Sequence, residues 1–324
     1  RILQIRGDGT EGVEDTESGL RRAGALQVPS PNYPIERLEA VADRYGSTGL
    51  ALAAMGSAEA AAAFALAGFT LPERVLHFAD ACLVDTPRFT RFLLDHPKIE
   101  LRGDCPEHEW PDAPTVLACG MAARTFPGAG YLELGAVTGQ VDLAALPAGC
   151  GPLTTAIVGH GYLAPLPVES PLVEGGNVVG VGATYEYEPW VPTRATAANL
   201  EHVRRLTGAV GRSIGFQKGE RCTSSDRNPV AGCLTTIDGA AYGSPSTLNT
   251  PSETGASAES INHRLVNVGH GSMGTVSAHL GAAVIESLLL GLPPVLDGEL
   301  QALVDPARFR TRQARRGYRF GAIP

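Results

Sequence analysis

Ile2-Leu3-Gln4-Ile5-Arg6-Gly7-Asp8-Gly9-Thr10-Glu11-Gly12 opens the chain with a short β-prone run followed at once by a GxGxxG arrangement. After a strand, glycines at Gly7, Gly9 and Gly12 permit a sharp turn and close approach of the backbone to a pyrophosphate, whose charge the N-terminus of the next helix stabilises. Residues 13–24 are expected to form that helix, ending at Leu20-Arg21-Arg22-Ala23-Gly24. On this reading the fold is α/β with a Rossmann-like dinucleotide-binding domain. A plain glycine turn is the other reading, because 39 glycines will produce loose matches by chance. Glu36 is the acidic residue available for ribose hydroxyls, although it lies farther from Gly12 than an uninterrupted strand-helix-strand unit requires.

Composition narrows the function. At 324 residues, with 44% hydrophobic and 19% charged, the chain is long enough for one large domain or two interleaved ones with a closed ligand site. A formal charge of −8 argues against a mainly electrostatic nucleic-acid binder, which relies on clustered Lys and Arg. The one local exception is the run Arg308, Arg310, Arg312, Arg315, Arg316 and Arg319, either a solvated charge run or a contact for RNA phosphate. The six cysteines, Cys82, Cys105, Cys119, Cys150, Cys222 and Cys233, form no CxxC pair, so reduced thiols, no metal site and a cytoplasmic setting are expected. Residues 276–296 are the longest apolar stretch, but His279, Glu286 and two prolines interrupt it, so no membrane span is expected, and nothing at the start reads as a signal sequence.

Periodicity places helices at residues 57–69, 87–94, 199–206 and 277–290, and strands at 99–101, 115–119, 156–158, 178–181 and 265–268. Residues 131–187 are β-rich and glycine-punctuated, which marks a second domain. The expected division is a discontinuous cofactor-binding domain, 1–56, 77–134 and 230–324, interleaved with a β-rich α+β substrate domain, 57–76 and 135–229. Tyr185 and Tyr187 are expected to alternate on a strand and so share a face.

Strings at 46–49, 116–120, 139–141, 161–165, 181–185, 221–232 and 269–274 occur in an order that resembles the D-amino-acid-oxidase-type FAD-dependent oxidoreductases, and within them the oxidoreductase half of the tRNA-modifying MnmC type. Gly46-Ser47-Thr48-Gly49 resembles the family's small-residue loop, Val116-Leu117-Ala118-Cys119-Gly120 its buried strand, and Gly139-Gln140-Val141 its return into the substrate domain. Gly161-Tyr162-Leu163-Ala164-Pro165 and Val181-Gly182-Ala183-Thr184-Tyr185 resemble two later elements. Most specific are Arg221-Cys222-Thr223-Ser224-Ser225-Asp226-Arg227-Asn228-Pro229-Val230-Ala231-Gly232 and Gly269-His270-Gly271-Ser272-Met273-Gly274, the latter similar to the loop beside the flavin. The chain departs from the family in carrying Glu11, Glu14 and Asp15 where small apolar residues are usual, Asp8 inside the glycine loop, and Met273 in place of the loop arginine. Anionic groups at that end of the chain compete with a bound pyrophosphate.

The resemblance implies FAD as cofactor, held by Gly7, Gly9, Gly12, Glu36, Ser47, Gly49, Gly120, Gly271, Ser272, Met273 and Gly274. It implies that Arg221 clamps a substrate carboxylate and Tyr162 donates a hydrogen bond to it. For Arg221 a structural role, for Tyr162 sheet packing, and for Ser272 a simple helix cap are the other readings; His270 reads as polar packing. The implied substrate is a secondary amine carrying a carboxymethyl group, on the modified wobble uridine of tRNA with the arginine run touching RNA, or else a free amino acid of the glycine or sarcosine type. A relative that keeps the fold as a binding module without FAD is the remaining reading.

Overall fold

The computed structural model describes residues 14–15, 17–103, 113–166, 177–234 and 264–317. In chain order the strands are β1 (Glu14–Asp15), β2 (Leu20–Arg22), β3 (Ala25–Gln27), β4 (Leu52–Gly56), β5 (Arg74–Phe78), β6 (Cys82–Val84), β7 (Thr115–Leu117), β8 (Leu134–Ala145), β9 (Ala156–Val158), β10 (Tyr162–Pro165), β11 (Val178–Gly182), β12 (Arg212–Ser224), β13 (Val230–Cys233) and β14 (Arg264–Val268). The helices are α1 (Ile35–Tyr45), α2 (Ser57–Ala63), α3 (Thr86–Leu94), α4 (Pro192–Thr207), α5 (Gly274–Leu290), α6 (Gly298–Val304) and α7 (Ala307–Arg315). The chain forms two compact units, the first Arg1–Leu101 with Gly139–Gly219 and the second Arg102–Thr138 with Glu220–Pro324. The expected division put 1–56 and 77–134 with 230–324. In the first unit β3 instead pairs in parallel with β9 and antiparallel with β5, so one sheet holds residues from both expected domains.

The sheet containing most of the first unit's described strands has the order β12-β8-β11-β10-β9-β3-β5-β4. Its core is aliphatic. Leu26, Ile157, Leu163, Val179 and Val181 from the strands pack with Ala60 of α2 and Val203 and Leu206 of α4. Alternation along β10 places Leu163 in this core and turns the half-buried Tyr162 toward the other face. A small three-stranded sheet, β1-β2-β6, completes the unit. This corrects one expectation: where residues 13–24 were to form a helix, β1 and β2 pair antiparallel and β2 pairs with β6. Gly19 and Gly24 are at φ +72° and +66°, left-handed geometry that suits a hairpin and interrupts a helix. Residues 99–101, expected as a strand, are irregular.

A polar cluster lies inside this apolar unit. The Asp142 side chain is fully buried, and its carboxylate accepts from Thr196 (2.7 Å) and Ser213 (3.0 Å) on one oxygen and from Gln140 (3.1 Å) and Asn199 (2.8 Å) on the other. Asn199 also donates to the Gln140 carbonyl at 2.9 Å. The Gln140 N–H donates to the Thr184 hydroxyl at 2.8 Å, which in turn donates to the buried Glu186 at 2.6 Å. Glu186 closes the chain against Lys218 and the Trp190 N–H, both at 2.8 Å. Burial works to raise the Glu186 pKa, but the Lys218, Thr184 and Trp190 hydrogen bonds together outweigh it and hold the carboxyl below its ordinary range. α4, β8, β12 and the segment after β11 are thereby joined through buried hydrogen bonds.

The second unit carries a three-stranded sheet of order β13-β14-β7, with β14 and β7 parallel. Its core combines Leu117, Val230, Val266 and Val268 with Phe309 of α7, which is fully buried. The arginine run lies mostly on this helix and is largely committed to it. Arg308 donates through two nitrogens to Asp226 at 2.9 and 3.1 Å. Arg312 reaches Glu133 at 2.8 Å, and Arg310 stacks on the Tyr131 ring at 4.1 Å. The expectation of a free basic tail is therefore corrected for Arg308, Arg310 and Arg312. Arg315 and Arg316 are exposed, Arg316 lying 3.9 Å from Glu133, and Arg319 lies outside the described residues.

Two outcomes follow from these contacts. Asn199→Leu leaves Asp142 and the Gln140 carbonyl each short of a buried donor, and should cost about 1–3 kcal/mol, read as a lower midpoint in urea denaturation. For Asp226, burial works to raise the pKa, but Arg308, Ser224 and the Asn228 N–H bring it down to about 2. A depressed carboxylate pKa stabilises the fold above the unfolded value and loses that contribution as pH falls through the folded one. Thermal midpoints of wild type and Asp226→Asn should therefore differ at neutral pH and converge as pH drops from about 4 to about 2.

Candidate active site

The late glycine loop is built against β12. The Gly271 N–H donates to the Cys222 carbonyl at 2.9 Å, and His270 bridges to Thr223. Gly269 and Gly271 sit at φ +75° and +55°, and a Cβ at Gly271 would lie 3.4 Å from Thr223 Cγ2. Left-handed backbone at two nearly adjacent positions, pressed onto a strand, explains the glycines. β7 delivers a second turn to the same strand: Gly120 is at φ +60°, and its Cβ would approach Cys222 Cβ at 3.6 Å. Gly120 and Gly271, two of the expected cofactor contacts, thus flank one residue of β12. Burial raises the Cys222 thiol pKa, which keeps it protonated and an inert packing group.

Helix α5 starts directly from this loop, with Met273 as its N-cap and no side-chain cap. The first N–H groups of a helix have no intrahelical partner, and a methionine cannot supply one. Ser272 precedes the N-cap, so it is not the cap that its sequence position suggested. The Ser277 hydroxyl donates back to the Met273 carbonyl at 2.9 Å and lies 3.1 Å from His270 Nδ1. Burial lowers the His270 pKa, which fits its reading as polar packing. Met273 is 60% exposed and Val276 65%, so the uncapped turn faces open space within the second unit.

Arg221 lies on β12 immediately before Cys222 and is half-buried. Since Ser224 is buried and Cys222 packs on the core, alternation turns Arg221 and Thr223 to the opposite face. In the first unit Tyr162 packs over Gly182, where an added Cβ would meet its hydroxyl at 2.9 Å and Cζ at 3.0 Å. Glycine at 182 is what gives that ring its place. Tyr185 and Tyr187 are not on a strand. Glu186 between them is buried, and both tyrosines are exposed, at 51% and 76%.

The remaining expected contacts are dispersed. Gly7, Gly9 and Gly12 lie outside the described residues, and the hairpin at β1 and β2 stands where their helix was expected. Glu36 is an exposed residue in the first turn of α1, while Gly46, Ser47 and Gly49 form the 3-10 turn at its other end. At 1.5 Å per residue the two groups are roughly 15 Å apart. A helix C-terminus also presents carbonyl oxygens, the wrong polarity for a pyrophosphate. The residues that sequence reading missed are Asp142, Thr184, Glu186 and Asn199, whose buried hydrogen bonds run between distant segments. Among the described residues no group of three or more His, Cys, Asp or Glu could hold a metal ion, and no helix is long and apolar enough to cross a membrane.

No family model matches the sequence. Over 221 residues the chain is 31% identical to the tRNA 5-methylaminomethyl-2-thiouridine biosynthesis bifunctional protein MnmC of Burkholderia mallei (strain SAVP1), and equally to that of Burkholderia pseudomallei (strain 668). The match takes in 62% of this chain and 30% of each relative, so the chain spans about a third or less of their length. Among solved structures it is similar to iminodiacetate oxidase (IdaA) from Chelativorans sp. BNC1, at a TM-score of 0.63 and 16% identity over 90% of this chain and 79% of that one. Glycine oxidase from Geobacillus kaustophilus gives 0.59 and 15%, over 86% and 74%. L-proline dehydrogenase from P. horikoshii gives 0.61 and 14%, over 90% and 78%. By sequence the chain is thus similar to part of the MnmC proteins, and it shares the fold of these three oxidoreductases.

Proposed function

We propose that this protein is an FAD-dependent oxidoreductase that oxidises a secondary amine carrying a carboxymethyl group. The observation that carries the reading is the pair of glycine turns, at Gly120 and Gly271, meeting on Cys222 beside the uncapped start of α5. Those residues fit the electron-accepting end of a flavin: the backbone is bare of side chains, and N–H donors lacking helix partners suit the negative charge that develops there. Among the described residues expected at the dinucleotide end, Glu36 and the turn carrying Ser47 and Gly49 are held at opposite ends of α1. FAD, when bound, supplies a two-electron acceptor for hydride leaving the carbon next to the amine.

The chain's own residues orient the substrate. Arg221, on the face of β12 away from the core, holds the carboxylate through paired N–H donors; within the first unit, Tyr162 is the hydroxyl donor that the resemblance assigns to substrate. Held so, the amine presents its methylene carbon, which loses hydride as the nitrogen loses its proton. The resulting imine takes up water and separates into the shorter amine and glyoxylate.

The MnmC relatives support a tRNA-borne amine as substrate, and Arg315 and Arg316 are exposed, the members of the run among the described residues left able to meet RNA phosphate. A small free amine is the second reading, favoured by fold similarity to glycine and iminodiacetate oxidases.

An absorption spectrum of the full chain with added FAD should show flavin bands that survive gel filtration; their absence would return the chain to a binding module. Arg221→Met should cut kcat/KM for a carboxymethyl amine by about 10²-fold, the loss of a charged hydrogen-bond pair, while leaving an N-methyl amine without the carboxylate nearly unaffected. Glyoxylate release from modified tRNA but not from sarcosine selects the first substrate, and the reverse selects the second.

A further inference from the structure

The first unit contains a cavity of ≈ 320 Å³ that the amine chemistry does not use. Val28, Leu71 and Leu163 are among the residues that make its walls apolar, and three basic side chains, His160, His202 and Arg205, also line it. Among the described residues no Asp or Glu lines it. Leu163 belongs to the core beneath α4, whereas Tyr162 turns to the other face of β10. The cavity is therefore separated by the sheet from the residue assigned to the substrate amine.

Its polar end is made by fitted parts. The His202 ring lies against the backbone of the β9–β10 turn, where a Cβ at Gly161 would fall 2.3 Å from Nε2 and 2.5 Å from the Gly182 carbonyl oxygen. Only glycine at 161 leaves room for the imidazole. His202 Nδ1 is buried and has no hydrogen-bond partner among the described residues, an uncommon state for a buried polar atom. Arg205 spends only Nε on Glu201, at 3.1 Å. Glu201 is already taken by two nitrogens of Arg204 at 2.6 Å each, which leaves the forked end of Arg205 without a hydrogen-bond partner among the described residues. Both imidazoles are held below their ordinary pKa, by burial first and then by the Arg205 charge, with His160 also lowering His202 and Glu201 opposing. Arg205 is thus the standing cation, and the two neutral imidazoles are hydrogen-bonding groups beside it.

An apolar chamber at the small end of the ligand-site range, with one guanidinium fork and unused imidazole nitrogens at its edge, matches a molecule with a short hydrocarbon body and a single planar anionic head. We propose that this cavity is a second ligand site, for a compact organic carboxylate. The guanidinium would take the two carboxylate oxygens in parallel, a geometry it meets directly, while the hydrocarbon body displaces water from the aliphatic wall.

The test is calorimetric titration of the full chain with sodium hexanoate, hexan-1-ol and hexyl phosphate. Hexanoate should saturate one site, and hexanol, lacking the head charge, should bind at least about tenfold more weakly. Arg205→Gln and His160→Gln alter exposed residues and should keep the wild-type thermal midpoint. Arg205→Gln should weaken hexanoate by about tenfold or more, while Arg221→Met leaves it unchanged. Absence of saturable hexanoate binding, equal binding of hexanol, tighter binding of hexyl phosphate than hexanoate, or loss of hexanoate binding in Arg221→Met with retention in Arg205→Gln would each overturn the proposal. The readout is independent of flavin content and turnover, so it stands or falls apart from the oxidase reading.

Discussion

Much of the first unit depends on keeping one carboxylate dry. Asp142 is fully buried and its four hydrogen-bond donors are all neutral. An isolated charge in such a place is costly unless its oxygens are fully occupied. The occupants come from β8, β12 and two turns of α4, so the helix can sit on the sheet only at the rotation and height that bring Thr196 and Asn199 to the same carboxylate. The aliphatic contacts of Val203 and Leu206 provide attraction but little direction. The hydrogen bonds choose the register, and with it the positions of His202 and Arg205, about one and two turns farther along the helix.

The second unit uses the same device with opposite bookkeeping of charge. Asp226 follows β12 and receives the Arg308 fork while Arg312 spans Glu133 and Asp226. α7 is thereby fixed to the segment that leaves the Arg221 strand. Residues that looked in sequence like a surface for a polyanion instead hold the scaffold of the site together, and the electrostatic cost of crowding Arg308, Arg312 and Arg316 is relieved by Asp226 and Glu133 from distant positions.

What was legible in the sequence was local. Strong periodicity located α3, α4 and α5, β-prone runs located β9, β11 and β14, and the glycines at 269–274 marked a loop before the last long helix. The ordered strings around Tyr162 and Arg221 carried the family. Three readings failed for a common reason, which is that short segments are decided by partners that sequence does not display. Residues 20–22 became a strand because 82–84 lies beside them. Tyr185 and Tyr187 keep the expected alternation about the buried Glu186 but form no strand, since Glu186 is held by Lys218, 32 positions away. The arginines at 308 and 312 look solvent-bound until Asp226 and Glu133 are placed next to them.

That inward pull on Glu186 has a thermodynamic side. With both carboxylate oxygens tied, the backbone from 184 to 190 is ordered before anything touches it. The two flanking phenol rings are consequently offered to solvent from a stiff mount. A molecule that settles on them forfeits little chain freedom in the protein, and aromatic faces with few torsions of their own give contact area at small entropic loss.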